Sequence, residues 1–307
     1  MIALADVLPT DPDCDLDHPK KITFSDISSA AFNIKHGVVR TPCSKSINLS
    51  KTLDMDLFFK KEYMQVTGSF KERGARYALT KLNREERERG VVAASAGNHA
   101  LALSYHGQQL NIPVTVVMPV FAPLMKIGMC RSYGATVILK GDNLGKAKEH
   151  AMRLAMEKNY KYINGYDAPN ILAGQGTIGL EILEQVPDVE AVIVPVGGGG
   201  LIAGVAVAVK TLKPAVKIIA VESETCAAFT EAYKVGKPVP VNARSSLADV
   251  CEILKSNFKG LAVPLVGGNA LASVQGLVDR TAVVEGGGAV GLAALISGKL
   301  PELKGKK

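Results

Sequence analysis

Three short segments of the chain carry residue types at spacings that can do chemistry. Residues 67–75 read Thr-Gly-Ser-Phe-Lys-Glu-Arg-Gly-Ala, a small glycine-containing turn that runs into a helix with Lys71 in its first turn. A lysine desolvated among apolar and small neighbours loses its proton more readily, and the neutral amine can attack a carbonyl to form a Schiff base. Without such a setting the same residue is an ordinary surface lysine at a helix start. Residues 194–201 read Val-Pro-Val-Gly-Gly-Gly-Gly-Leu, between an apolar run and a helical pattern. Four consecutive glycines let backbone N–H groups close around an anion, and the helix dipole adds positive potential. The segment is neither Gly-x-Gly-x-x-Gly nor a P-loop ending in Gly-Lys-Ser/Thr, so dinucleotides and ATP are not indicated. Residues 94–100, Ala-Ser-Ala-Gly-Asn-His-Ala, sit at a strand-to-helix junction. There Ser95 can cap the helix, the loop N–H groups can hold a carboxylate, and Asn98 offers both donor and acceptor. No other histidine lies at metal-ligand spacing from His99, so no metal site is read.

The elements that must position these residues follow from apolar periodicity. Short β-branched runs at 90–94, 114–118, 135–139 and 162–163 alternate with helical patterns at 98–110 and 144–158. A second series places strands at 191–195 and 217–221 around a helix at 200–212. Alternation of this kind predicts α/β architecture, with parallel sheets covered by helices, in two lobes separated by residues 167–185. Ligands of such folds bind at the carboxyl ends of the strands, which places the site in the cleft between the lobes.

Length and composition bound the classes. The 307 residues are 47% hydrophobic and 21% charged, ample for one large or two medium domains. Five cysteines form no Cys-x-x-Cys pair, which argues against a disulfide framework and for a reducing compartment. Residues 191–209 are uncharged and long enough to span a bilayer, but five glycines and a proline make them a buried strand, a loop and a helix. The net charge of +7 is local: residues 60–89 hold nine basic and five acidic side chains, interleaved as on a solvated helix. With no Trp and few other aromatics there is no stacking platform, so nucleic acid is not an expected partner. The acidic run at 11–17 is expected to be a mobile tail.

Together, in this order and register, the three segments resemble the fold-type II pyridoxal-phosphate enzymes, in the threonine/serine dehydratase (ammonia-lyase) and serine racemase branch. Thr41-Pro42 and Ala173-Gly174-Gln175-Gly176-Thr177 extend the resemblance, which covers roughly residues 24–249. Lys71-Glu72-Arg73 and Asn98-His99-Ala100 place the chain on the dehydratase side rather than with cysteine synthase. The resemblance implies a tryptophan synthase β-like fold, with a large cofactor lobe from residues 1–89 and 167–307 and a small lobe from 90–166. It implies pyridoxal 5′-phosphate on Lys71, with Phe70 against the ring and Asn98 at the ring hydroxyl. Gly197, Gly198, Gly199 and Gly200, with the Leu201 N–H, would hold the phosphate. Ser95, Ala96, Gly97, Asn98 and His99 would form the loop for the substrate carboxylate, and Lys71 would serve as base at Cα. Deamination of L-threonine or L-serine to a 2-oxo acid and ammonia is the implied reaction, in a cytoplasmic enzyme, with a homodimer as the assembly.

One position separates elimination from racemisation. Racemases of this branch carry a second serine as the opposite-face acid–base group, where this chain has Ala96, whose methyl cannot shuttle a proton. Their divalent-cation site is matched only by Glu222, with Cys226 and Ala228 at the other two positions.

The last sixty residues depart from the pattern. Residues 250–259 look like a ten-residue insertion after Ala248-Asp249, read as a retained short intron or a misplaced exon edge. Val278-Asp279-Arg280 runs directly into Thr281, where relatives place a strand and a helix. The sequence stops at Lys307 without the Ser-Gly-Gly-Asn-like motif whose serine binds the pyridine nitrogen, and Glu285 is not assigned that role. The expectation is an incomplete C-terminal part of the large lobe and an enzyme weaker than its relatives. A serine racemase with dehydratase side activity is an alternative, as is an inactive form that modulates a longer partner.

Overall fold

The computed structural model describes residues 10–242, 263–284 and 290–307. Helix α1 (Phe24–Ile34) precedes a small antiparallel pair, β1 (Cys43–Lys45) with β2 (Phe58–Lys60), whose strands are joined through α2 (Ile47–Leu53). After α3 (Lys71–Thr80) and α4 (Arg84–Arg89), strands β3 (Val91–Ala94), β4 (Val114–Met118), β5 (Thr136–Leu139) and β6 (Lys161–Tyr162) form a parallel sheet in the order β5-β4-β3-β6. Its connections are α5 (Asn98–Leu110), α6 (Leu124–Ser132) and α7 (Leu144–Lys158). Helix α8 (Pro169–Gln185) leads to a second parallel sheet, β7 (Ala191–Pro195), β8 (Lys217–Ser223) and β9 (Arg280–Val284), in that order. Helices α9 (Gly200–Leu212), α10 (Ala228–Val235), α11 (Gly268–Val274) and α12 (Val290–Ile296) cover it.

Near-continuous apolar strands are what a sheet covered on both faces requires. Along β4, Val114, Val116 and Met118 join one core with α3 and α5, while Val117 turns to a second core with α7. Along β8, Ile218 and Ala220 face α8 and α9, and Ile219 and Val221 face α12. This period-two partition fixes strand register, because a one-residue slip would exchange the faces. At the junction before β9, Asp279 N–H donates to Ile218 O and its Oδ2 accepts Ile218 N–H, which seats β9 beside β8.

The segment expected as a mobile tail is instead anchored. Asp11 is buried and Cys14 packs against the core of the first sheet. Asp13 pairs with Lys161 at 2.5 Å, and its carbonyl accepts from Asn269 Nδ2. The acidic run therefore has local cationic and amide partners that charge counting alone does not reveal. The apolar run at 191–209 divides into β7, a glycine turn and most of α9, as expected. No helix among the described residues is long and apolar enough to cross a membrane. The 250–259 insertion and Glu285 lie outside the described residues.

Candidate active site

Helix α8 determines where the two key helix N-termini meet. A Cβ at Gly174 would lie 2.6 Å from Gly74 Cα, so α8 and α3 touch backbone to backbone. Gly176 makes the equivalent approach to Gly204 of α9. Packed on one helix, α3 presents Lys71 and α9 presents the four glycines at the same junction. The loop after β6, Asn164-Gly165-Tyr166-Asp167, runs between them, folded by Asn164 Oδ1 accepting the N–H groups of Tyr166 and Asp167 at 3.0 Å.

Lys71 enters from a turn in which Gly68 takes φ +79°, a conformation side-chain-bearing residues rarely adopt. Ser69 Oγ accepts the Lys71 backbone N–H at 3.1 Å. The amine donates to Gly165 O at 2.5 Å and lies 5.3 Å from the centre of the Phe70 ring. Burial of the amine lowers its pKa to about 8, since loss of solvation penalises the charged form. Gly165 carries no side chain because His99 occupies the space, with its ring 2.7 Å from where a Cβ would stand. Burial, and then the nearby Lys71 charge, push His99 down to about 3. The neutral ring donates Nε2–H to Ile163 O at 3.2 Å, which leaves Nδ1 a buried acceptor without a partner among the described residues.

The glycine turn is shaped by the same loop. A Cβ on Gly198 would collide with the Tyr166 ring, and one on Gly200 would sit 2.5 Å from Tyr166 O. Gly199 has φ +93° and precedes α9 with no side-chain cap, so the first N–H groups of the helix face no capping oxygen among the described residues. Burial raises the Tyr166 hydroxyl to about 12, reinforced by Asp167. Gly267 N–H donates to Gly198 O and ties the turn to α11.

The residues predicted from sequence divide into two groups. Phe70, Lys71 and His99 converge around Gly165, and Gly198 and Gly200 close on the adjoining Tyr166. Gly197 and Leu201 flank the turn, Leu201 being half-buried against the core of the second sheet. Ser95, Ala96 and Gly97 follow β3 at its carboxyl end, with Gly97 N–H on Ser95 Oγ at 3.3 Å and Ala96 buried. Asn98 is exposed and its Oδ1 accepts from Lys126 at 3.1 Å. Sequence reasoning missed Gly165, Tyr166 and Lys126. The Asn-Gly turn after a strand was the available signal for the first two. Glu222, matched to a cation ligand, accepts the N–H groups of Phe229 and Thr230 at 2.8 and 2.7 Å and caps α10.

These groups fit pyridoxal phosphate. A depressed lysine amine suits its aldehyde, a side-chain-free turn at an uncapped helix start suits its phosphate, and the buried His99 acceptor leaves a polar atom to be satisfied.

A two-lobed α/β frame with a buried lysine facing a glycine-lined helix start defines a pyridoxal-phosphate enzyme. The family model described as "Pyridoxal-phosphate dependent enzyme" matches residues 34–306, and the chain belongs to that family. It is 43% identical over 296 residues to the L-threonine ammonia-lyase of Thermotoga maritima, covering 93% of this chain and 73% of the relative. It is 39% identical over 298 residues to a catabolic L-threonine dehydratase of Staphylococcus aureus, covering 93% and 86%. Among solved structures it resembles serine racemase from Dictyostelium discoideum, with TM-score 0.84, 30% identity and coverage of 93% and 95%. It also resembles the processed threonine deaminase isoform 2 of Solanum lycopersicum, with TM-score 0.83, 33% identity and coverage of 98% and 87%.

Proposed function

We propose that the chain deaminates L-threonine and L-serine to a 2-oxo acid and ammonia, using pyridoxal phosphate held by Lys71. The observation that carries this reading is the Lys71 amine, buried, lowered to about pKa 8 and aimed at Gly165 O beside the glycine turn. Bound pyridoxal phosphate supplies the electron sink for charge developing at the substrate Cα. Gly197, Gly198, Gly199, Gly200 and the Leu201 N–H receive the phosphate, because the turn offers amide protons and admits no side chains. Phe70 and Asn98 flank the ring. Ser95, Ala96, Gly97, Asn98 and His99 bind the substrate carboxylate at the start of α5.

With its amine free, Lys71 would be the base that takes the Cα proton. Near neutral pH an amine with pKa about 8 is partly unprotonated, as a general base requires. When it donates one N–H to Gly165 O, its lone pair points away from that oxygen and is free to accept the proton. His99, neutral at this pH, adds no competing positive charge. Ala96 is 2% exposed and has no proton to give, so nothing at that position returns a proton to the opposite face of Cα. That favours elimination over the serine racemase reading, which the structural similarity keeps as the second candidate.

We read the enzyme as cytoplasmic and homodimeric, acting on free amino acids rather than nucleic acid, with the small lobe at residues 90–166. The test is incubation with pyridoxal phosphate and L-threonine or L-serine, following 2-oxo acid release and the chirality of remaining serine. Release of oxo acid that Lys71→Ala abolishes supports the proposal. Formation of D-serine without oxo acid overturns it in favour of racemisation, and absence of both products overturns it altogether.

A further inference from the structure

Glu72, the residue after Lys71, is a buried carboxylate whose two oxygens serve two different elements. Oε1 accepts the backbone N–H of Thr67 in a short hydrogen bond, and Oε2 accepts from His106 Nε2 at 3.1 Å. Both side chains are fully buried. Thr67 begins the turn that delivers Lys71, and α3 starts without a side-chain cap of its own. Glu72 therefore closes this turn from inside the first helical turn, where the helix dipole also favours a carboxylate. His106 lies on α5, the helix whose first residues, Asn98 and His99, complete the proposed substrate loop. Its Nδ1 is buried without a partner among the described residues, so the proton sits on Nε2 and is donated to Glu72. Burial holds His106 below its ordinary pKa despite the carboxylate, which agrees with a neutral ring. An apolar residue at 72 could not bond the turn and α5 at once.

We propose that Glu72 and His106 are positioning residues that lock the Lys71 turn to the substrate-loop helix, so that amine and substrate stay in register. Its kinetic consequence rests on the ammonia-lyase reading; the placement of the amine does not. The full chain is prepared as wild type, Glu72→Leu, Glu72→Gln, His106→Leu and the double Leu variant. Two quantities are measured: steady-state oxo-acid release from L-threonine with pyridoxal phosphate, and the pH midpoint for acylation of Lys71 in cofactor-free protein by mass spectrometry. Glu72→Leu is expected to lower kcat about tenfold to a hundredfold while KM stays within about threefold, because loss of register acts on the reacting geometry. The acylation midpoint should rise from about 8 toward the ordinary lysine value as the turn loosens and the amine gains solvent. Glu72→Gln keeps an acceptor for Thr67 but turns an amide NH2 toward the His106 Nε2–H, so it should recover only part of both. The double variant should be no worse than Glu72→Leu, since the pair acts as one unit. An unchanged midpoint in folded Glu72→Leu, or losses that simply add in the double variant, overturns the proposal. If Glu72→Leu fails to fold, His106→Leu decides by the same two readouts. If wild type releases no oxo acid the ammonia-lyase reading fails, while the Lys71 midpoint still decides the positioning.

Discussion

Burial of a potential cation beside a carbonyl, without a carboxylate among the described residues to neutralise it, shapes the chemistry and the stability at Lys71 together. The unfolded chain holds the proton up to about 10.5 and the folded chain only up to about 8, so between these values the unfolded state binds more protons. Stability therefore rises with pH across that window, and the whole penalty is present below about pH 8. Lys71→Met, which keeps the volume and removes the charge, should raise the unfolding temperature of the cofactor-free protein by a few degrees at pH 7. The gain should shrink as the pH approaches 10.5. Thermal unfolding of both proteins at pH 7 and pH 10 checks this, and equal stability at pH 7 would mean that the amine is solvated. The lysine was legible from its small and apolar neighbours. Its acceptor was not, because a backbone carbonyl carries no sequence signature, and Gly165 is distant from Lys71 in the chain.

At the scale of elements, most strands and helices of the two βαβ series were readable to within a residue or two from β-branched runs and helical spacing. Helix α6 was not read, and neither was α8. Its glycines at 174, 176 and 179 lower helix propensity and read as a spacer, yet each lies where a neighbouring helix approaches closely. Their function is contact distance rather than turning. Beside them, Arg73 is fully buried and makes paired hydrogen bonds to Glu62 and Glu181, which raise its pKa against the effect of burial. The α3–α8 joint thus combines a backbone contact with a buried ionic clasp. Gly174→Ala would place a methyl 2.6 Å from Gly74 Cα and 2.7 Å from Arg73 O, and rigid backbone cannot yield as a side chain would. It should cost about 1–3 kcal/mol in urea unfolding. By displacing the start of α3, it should also weaken pyridoxal phosphate binding, followed by titration of the bound cofactor's absorbance. Unchanged stability would show that α8 can slide at no cost.

Across the whole molecule, residues 11–22 strap one lobe to the other, and Asn269 is where the strap is fastened. Its Oδ1 accepts Lys20 N–H at 2.6 Å, and its Nδ2 donates to Asp13 O at 2.6 Å and Asp167 O at 2.9 Å, all from a fully buried side chain. Asp167 in turn accepts Ala270 N–H at 2.8 Å and ends the loop that carries Gly165. At the far side the strap reaches the first sheet through the Asp13–Lys161 pair and the packing of Cys14. That ion pair is partly exposed and contributes at most about 1 kcal/mol, so the amide is the stronger fastening. Asn269→Ala leaves one donor and two acceptors, the Asp167 carbonyl buried among them, without their partner, which should cost roughly 3 kcal/mol. Asn269→Asp should be at least as damaging, because it keeps the acceptor for Lys20 but turns a carboxylate oxygen toward two carbonyls. Limited proteolysis should then cut within residues 11–20 well before the core, where the parent resists. Parent-like stability and proteolysis in both variants would show that the strap rests on the protein without joining its lobes.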